Sequence, residues 1–198
     1  HLPVPLCDSP LEEADSLGYS GTNIIKRSLP SFTVERNLLD GVRFYGLEFD
    51  GIKLDVTNIS NVVFERCSFT NFSFRKLYFN RVIFKDCRML GSDFTDSFTE
   101  DTQFINCNLS MSVFSLAHFK NVKFSSCNLS QSFFSDVKLQ KVEFGDTDFT
   151  KAEITRTPLA NIDFSKTKLE KVTFDQASLL GIIVSPYQGL ALLPCFGI

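Results

Sequence analysis

The chain has 198 residues, a formal net charge of −3 and 43% hydrophobic residues, which fit a single domain with a core large enough to be stable alone. No run of 18 apolar residues occurs, which excludes a transmembrane helix, and nothing in the net charge points to direct binding of nucleic acid through basic patches. The composition is biased, with 22 Phe, 2 Met and no Trp. Such a bias indicates one structural slot that is filled many times.

The first predicted element is a short helix near the N-terminus. Ser9, Pro10 and Glu12 form a capping box, and the helix should run to about Leu17. Residues 18–31 are expected to be a connecting loop, in which the apolar Ile24 and Ile25 are expected to cover the first coil. We assign residues 1–38 to an N-terminal capping segment. Its first six residues lack the basic start and the apolar length of a signal peptide.

A period of five residues dominates the rest of the chain. Of the 28 positions at intervals of five from Phe44 to Leu179, all but Thr99 are apolar, and no insertion disturbs the count. The residue two positions earlier is mostly small or apolar, and the other three are mostly polar. On a helix, five residues advance about 140° beyond a full turn, so the apolar side would spiral around the axis. On a flat strand, an odd step would reverse the side chain.

The period therefore requires a chain that turns a corner in every repeat and coils around its own core. A second period of twenty residues gives the number of repeats in each coil. Phe recurs at 44, 64, 84, 104, 124, 144 and 164, and Cys recurs at 67, 87, 107 and 127. Four repeats per coil predict a square cross-section and seven coils over residues 39–184. At a strand spacing of ~4.8 Å, seven coils form a rod roughly 34 Å long.

This spacing resembles the pentapeptide-repeat family, whose pattern is a small residue, Asp or Asn, Leu or Phe, and two variable residues. The segments 92–94 (Ser-Asp-Phe), 107–109 and 127–129 (Cys-Asn-Leu) and 147–149 (Thr-Asp-Phe) match it directly. The resemblance covers about residues 40–184. It implies an all-β solenoid, namely a right-handed quadrilateral β-helix.

Two features inside the repeat carry further expectations. Thr99 is the polar residue in an otherwise apolar column, so we expect a local distortion in which Phe98 swings at least partly over the gap.

The four stacked cysteines would lie close enough for disulfides, and their spacing is not that of a zinc site. Because Ser, Thr, Ala and Val occupy the same slot in other repeats, we expect small buried thiols in a reducing cytoplasm.

The C-terminal residues 185–198 predict a helix. Ser185 is the expected N-cap, Pro186 the first helical residue and Gln188 the partner in a capping box, with an end near Leu193 before Pro194. One interpretation is that this helix only covers its own coil. The other is a two-fold interface between two copies of the chain. The predicted dimer-interface residues are Tyr187, Leu190, Leu193 and Phe196.

Nothing in the sequence points to catalysis. It shows no phosphate-binding loop, nucleophile elbow or metal-binding motif, and of its two histidines His1 is terminal and His118 occupies an outward slot. We therefore expect no enzyme activity, no catalytic residue, no metal, no cofactor and no small-molecule substrate.

The charges along the rod are balanced overall but not between faces. Residues 42–181 contain 17 acidic and 17 basic residues. The face that carries Phe74, Phe94, Phe114 and Phe134 is acidic from its third coil onward, against Arg156 alone. The residues of this predicted partner-binding face are Asp93, Asp96, Asp136, Glu153 and Asp175. The next face is basic, through Arg81, Lys120, Lys138 and Lys141.

The end of the chain, Gly181-Ile-Ile-Val-Ser-Pro-Tyr-Gln-Gly-Leu-Ala-Leu-Leu, together with the Phe-rich core, resembles the Qnr-type quinolone-resistance proteins and their mycobacterial and Gram-positive relatives. The resemblance implies a cytoplasmic bacterial homodimer that imitates duplex DNA, binds DNA gyrase or topoisomerase IV and confers fluoroquinolone resistance. The unbroken repeat is that of relatives without projecting loops. The alternative is a generic pentapeptide-repeat interaction scaffold or effector with no topoisomerase role.

Overall fold

A computed structural model describes residues 23–25, 38–51 and 56–196 and shows a parallel β-solenoid of about seven coils that ends in one short helix. The predicted all-β solenoid is thus confirmed. The predicted helix from Ser9 to Leu17 lies outside the described residues. The strands are β1 (Asn23–Ile25), β2 (Leu38–Asp40), β3 (Arg43–Tyr45), β4 (Asn58–Ser60), β5 (Val63–Glu65), β6 (Tyr78–Asn80), β7 (Ile83–Lys85), β8 (Phe98–Ile105), β9 (His118–Ser125), β10 (Phe133–Ser135), β11 (Lys138–Gly145), β12 (Glu153–Thr155) and β13 (Thr173–Phe174).

Each strand pairs in parallel with a strand twenty residues away in the sequence, which confirms the predicted coil length. Phe44 of β3 pairs with Phe64 of β5, and Phe104 of β8 pairs with Phe124 of β9. We name the four sides in chain order: the first face is centred on the column of Phe44, the second on Phe49, the third on Phe74 and the fourth on Ile59. β1 pairs with β3 in the same register, so the stack extends into the segment before residue 38.

The corners explain why the repeat has five residues. At 26 of the 29 positions spaced by five from Gly41 to Gly181, the backbone has a positive φ. Five of these residues are Gly, and many of the others are Asn or Asp, which tolerate the left-handed conformation best among residues with a side chain. The N–H group at such a corner donates to a carbonyl of the next coil, as from Asn106 to Ser125 (2.8 Å). Every corner therefore bends the chain and also joins two coils.

Stacked aromatic rings form a large part of the core. Along the first face, the seven Phe rings from 44 to 164 lie nearly parallel to their neighbours, with centroids 4.7 to 5.3 Å apart. The third face has a second stack, in which the Phe94 and Phe114 centroids are 5.2 Å apart. Rings from adjacent faces meet edge to face, as do those of Phe64 and Phe69. Offset stacks and edge contacts are the arrangements that aromatic pairs prefer, so one residue type fills the core efficiently.

The slot two residues before each central position holds small side chains that hydrogen-bond the backbone. The Ser92 hydroxyl donates to the Phe69 carbonyl (2.8 Å), and the Cys87 thiol donates to the Phe64 carbonyl (3.3 Å) in the corresponding place on another corner. Cys107 and Cys127 repeat this contact one and two coils later. All four column cysteines are buried free thiols, as predicted, and burial raises the pKa of Cys107 well above its ordinary value.

The prediction of a local distortion at Thr99 is wrong. Thr99 pairs with Phe79 and Phe119 in the regular register, and it is fully buried. The ring of Phe98 does not cover the gap. It points outward, 36% exposed, and lies between two other rings: it stacks on Tyr78 with a centroid distance of 5.4 Å and meets the tilted ring of His118 at 5.8 Å. The outer stack holds Phe98 in place, while the strand on either side keeps Thr99 in its column.

We expect the two kinds of position to differ sharply in their effect on stability. Replacing Phe104 or Phe124 by Ala should cost roughly 3–5 kcal/mol of unfolding free energy, because each fully enclosed ring would leave a cavity. Replacing the exposed Lys123 or Glu143 by Ala should cost under about 0.5 kcal/mol even though they form an ion pair. Denaturant unfolding measures the free energy of unfolding of all four variants. Equal losses at the buried and the exposed positions would contradict the assignment of inward and outward residues.

Thr99→Val should stabilise the protein. The Thr99 hydroxyl is buried without a hydrogen-bond partner among the described residues, and removing an orphaned polar group while keeping the shape should gain about 1 kcal/mol. Thr102→Val is the matched control, because the Thr102 hydroxyl donates to the Glu100 carbonyl (2.9 Å). A Thr99→Val protein that unfolds at lower denaturant concentration than the Thr102→Val protein would contradict this account.

Candidate partner-binding surface

The predicted acidic residues do share the third face, where outward-pointing positions form columns across the coils. One column runs through the centre of the face and contains Asp93, Val113, Phe133 and Glu153 as successive paired residues. A second column runs along the corner that ends the face, where the residues have a positive φ, and it contains Asp96 and Asp136 two coils apart. Asp175 lies near the C-terminal end of the face. The structure therefore brings together the five residues of the predicted partner-binding face.

Three of these five carboxylates are already engaged within the rod. The Arg75 guanidinium donates to Asp93 (2.9 Å), and that of Arg156 donates to Asp136 (2.8 Å). Asp175 accepts from the Ser178 hydroxyl (2.7 Å) and from the backbone of Arg156. Within the described chain, Asp96 and Glu153 form no ion pair and both are exposed. The negative potential of the face is accordingly weaker than five carboxylates would produce in isolation.

These contacts also hold the carboxylates in their charged form. The hydrogen bond from Arg156 lowers the pKa of Asp136, and the hydrogen bond from Ser178 lowers that of Asp175. Partial burial works to raise the pKa of Asp93, but hydrogen bonds from Thr95 and Arg75 outweigh it, and the pKa lies below its ordinary value. All three groups are therefore ionised at neutral pH.

An apolar cluster interrupts the acidic face at its middle, and the sequence analysis missed it. We call it the third-face patch, and it consists of Met111, Val113, Leu116 and Phe133. Met111, Leu116 and Phe133 are 49%, 52% and 41% exposed, and Val113 is half-buried. Met111 and Leu116 stand at the two corners that bound the third face in one coil, and Val113 lies between them, paired with Phe133 of the next coil. Four apolar residues in outward slots of two adjacent coils were the signal that could have identified this cluster.

The fourth face carries its predicted basic residues together with partners that reduce their charge. Lys120 forms an ion pair with Glu100 (2.6 Å), and Arg81 donates to the side chain of Asn61 (2.6 Å). A groove at the next corner is lined by residues of both signs, including Arg81, Asp101, Lys141 and Glu143. Among the described residues, no group of His, Cys, Asp and Glu is placed to hold a metal ion.

The C-terminal helix α1 (Pro186–Leu192) has the predicted cap. Ser185 and Gln188 form both hydrogen bonds of the capping box, and the helix continues as a 3-10 turn over Leu193–Phe196, which contains Pro194 instead of ending at it. The Gln188 amide also donates to the carbonyls of Phe164 and Thr167 at 2.9 and 2.8 Å. The helix is thereby fixed on the last coil.

This cap leaves an apolar surface uncovered at the end of the rod. Leu192 faces the coil and is buried, whereas Tyr187, Leu190 and Leu193 are 84%, 68% and 37% exposed. Leu180 and Ile183 of the last coil are exposed as well. The predicted interface residues Tyr187, Leu190 and Leu193 thus share one apolar end, and the side chain of the fourth, Phe196, lies outside the described set. Within the part of the chain that the structure describes, no helix has the length and apolarity needed to cross a membrane.

The repeat, the four-sided coil and the corner geometry define a class of β-solenoid, and sequence comparison identifies the family. Models of the "Pentapeptide repeats (8 copies)" and the "Pentapeptide repeat region" match residues 57–96 and 97–174. Together these matches span more than half of the chain, and the protein belongs to the pentapeptide-repeat family. A search of curated protein sequences finds no match.

Solved structures of the same family are similar to this chain at low sequence identity. QnrB1, a plasmid-mediated fluoroquinolone resistance protein, is 17% identical over 89% of this chain and 100% of its own, with a TM-score of 0.46. HetL, from the cyanobacterium Nostoc, is 11% identical over 74% of this chain and 84% of its own, with a TM-score of 0.34. A pentapeptide repeat protein of the Arabidopsis thaliana thylakoid lumen is 18% identical over 64% and 71%, with a TM-score of 0.30.

Proposed function

We propose that this protein is a homodimeric, DNA-mimicking rod that binds DNA gyrase or topoisomerase IV and confers fluoroquinolone resistance. It acts by occupying a surface and performs no chemistry of its own. The observation that carries the proposal is the apolar end formed by Tyr187, Leu190 and Leu193, because it favours joining two rods end to end along one axis. In such a dimer the same surface of each rod meets its copy across a two-fold axis, and a two-fold symmetric enzyme can match that symmetry.

The dimensions support this proposal. Seven coils at ~4.8 Å form a rod of roughly 34 Å, which is about one helical turn of duplex DNA. Two rods that meet at α1 would present about two turns, with their N-terminal ends far apart. The third face of each rod would then display Asp96 and Glu153 as free carboxylates on a stiff scaffold. Such groups can stand in for phosphates before a basic groove.

The resemblance in the C-terminal segment points to the same function, since Gly181 to Leu193 is the part of the sequence that is similar to the dimer helix of the Qnr-type proteins. Gly181 has a positive φ of 75°, and a Cβ there would come within 3.3 Å of Ala160. A side chain here would be strained and would crowd the preceding coil, which favours a glycine where the last coil passes into the cap.

A generic protein-interaction scaffold is the second candidate. The observation that favours it is the internal pairing of Asp93 with Arg75 and of Asp136 with Arg156. Paired carboxylates attract a basic groove less strongly than free ones, and the coils as a whole carry no net charge. The two candidates differ in whether the protein competes with DNA for a topoisomerase.

The dimer is tested by changing Leu190 and Leu193 together to Asp. The new charges would be buried without partners in the interface, which should weaken dimerisation by on the order of several kcal/mol. The coils should remain folded, because each repeat is stabilised by its neighbours in the same chain. Leu38→Asp is the matched control, since Leu38 is also exposed but lies at the other end of the rod. Light scattering that shows an unaltered protein of monomer mass at micromolar concentration would contradict the dimer.

The enzyme target is tested by a gyrase supercoiling assay with the purified protein, in the presence and absence of ciprofloxacin. We expect the dimer either to inhibit supercoiling or to protect it from the drug, and the Leu190→Asp, Leu193→Asp double variant to have a weaker effect because it presents half the length. A protein that neither changes supercoiling nor binds gyrase or topoisomerase IV would leave the scaffold as the better account.

A further inference from the structure

The third-face patch is not required by the fold. The corner column that holds Leu116 holds Asp96 one coil before and Asp136 one coil after, and the opposite corner column holds Gly91 and Gln131 on either side of Met111. The solenoid therefore accepts polar residues in both columns with the same backbone. Exposed apolar side chains clustered on one side of a solenoid need another explanation, and binding is the usual one.

The surroundings of the patch indicate the chemistry of its partner. Asp93 and Asp96 precede it along the rod, and Asp136 and Glu153 follow it, so carboxylates lie on both sides of the apolar centre. Positive charge lies at both edges, with Arg75 paired to Asp93 on the N-terminal side and Arg156 paired to Asp136 on the C-terminal side. An apolar centre with a charged rim is the anatomy of a protein interface, in which the centre supplies most of the affinity. Asp96 and Glu153 form no ion pair among the described residues, so the complementary surface has apolar side chains between the Lys or Arg residues that meet these two carboxylates.

We propose that the third-face patch is the central contact with the topoisomerase, so that the enzyme surface which receives the rod places an apolar group between basic residues. This inference rests on the proposed function and specifies the part of the rod that makes the contact. Duplex DNA binds such a surface through phosphates, and its affinity falls steeply with salt. Burial of Leu116 and Phe133 is insensitive to salt, so the protein binds with a shallower salt dependence than DNA does.

The experiment compares three variants with the unaltered protein for binding to purified DNA gyrase at several salt concentrations, with duplex DNA as the reference ligand. The patch variant is Leu116→Ser with Phe133→Ser. The charge variant is Asp96→Asn with Glu153→Gln. The control is Phe98→Ser, which removes an exposed aromatic ring of similar accessibility from the fourth face. Circular dichroism and light scattering establish that each variant is folded and has the parent oligomeric state.

We expect the patch variant to bind at least about tenfold more weakly than the unaltered protein at every salt concentration, as loss of central apolar contacts does. The charge variant should lose its affinity mainly at low salt, which flattens the salt dependence, and Phe98→Ser should bind normally. A patch variant that binds like the parent would overturn the inference and leave the proposed function intact. Failure of the unaltered protein to bind would remove both.

Two further outcomes bear on the nature of the contact. A patch variant whose mass in solution differs from that of the parent would show that the third face joins copies of this chain, and would overturn the inference. A Phe98→Ser protein that loses as much affinity as the patch variant would place the contact on more than one face, which also contradicts a contact centred on the patch.

Discussion

The fold depends on one constraint. Every fifth residue must adopt the left-handed backbone conformation, with a positive φ, so that the chain turns a corner while its backbone pairs with the preceding and the following coil. The corner N–H groups donate to carbonyls of the next coil, as from Asn106 to Ser125, whereas residues between the corners also donate to carbonyls of the preceding coil, as from Asn128 to Cys107. Both patterns require coils of equal length. One inserted residue would move a central side chain out of the core and separate a corner from its partner, which explains the unbroken count of repeats.

This constraint determines how much of the structure the sequence reveals. A central residue such as Phe104 has one possible direction, and so the core, the coil length and the thiol column could be predicted. The cap at Ser185 could also be predicted, because a capping box is a local signal. Thr99 was misjudged for a physical reason: the strand pairing on both sides of it outweighs one poorly filled slot, and the outward stack of Tyr78, Phe98 and His118 is visible only when the coils are placed on one another.

The surface shows the limit of counting residues along a face. Asp93 and Asp136 look like free charges in the sequence, yet Arg75 and Arg156 reach them from neighbouring coils at separations of 18 and 20 residues. The register of twenty contains this information, but side-chain length and direction decide which pairs form. The same limit applies to the third-face patch, whose members belong to two coils and become neighbours only through the stacking of Val113 under Phe133.

A rod that competes with DNA must resolve a conflict between affinity and stability. Unpaired carboxylates in one stripe would attract a basic groove, but they would also repel each other at coil spacings of ~4.8 Å, where charges interact strongly. Pairing Asp136 with Arg156 relieves that repulsion and reduces the attraction to the groove at the same time. An apolar centre avoids the conflict, because Leu116 and Phe133 contribute affinity without adding charge to the stack. A solenoid that keeps its carboxylates paired can therefore still bind a DNA-receiving surface, provided that its central contact is apolar.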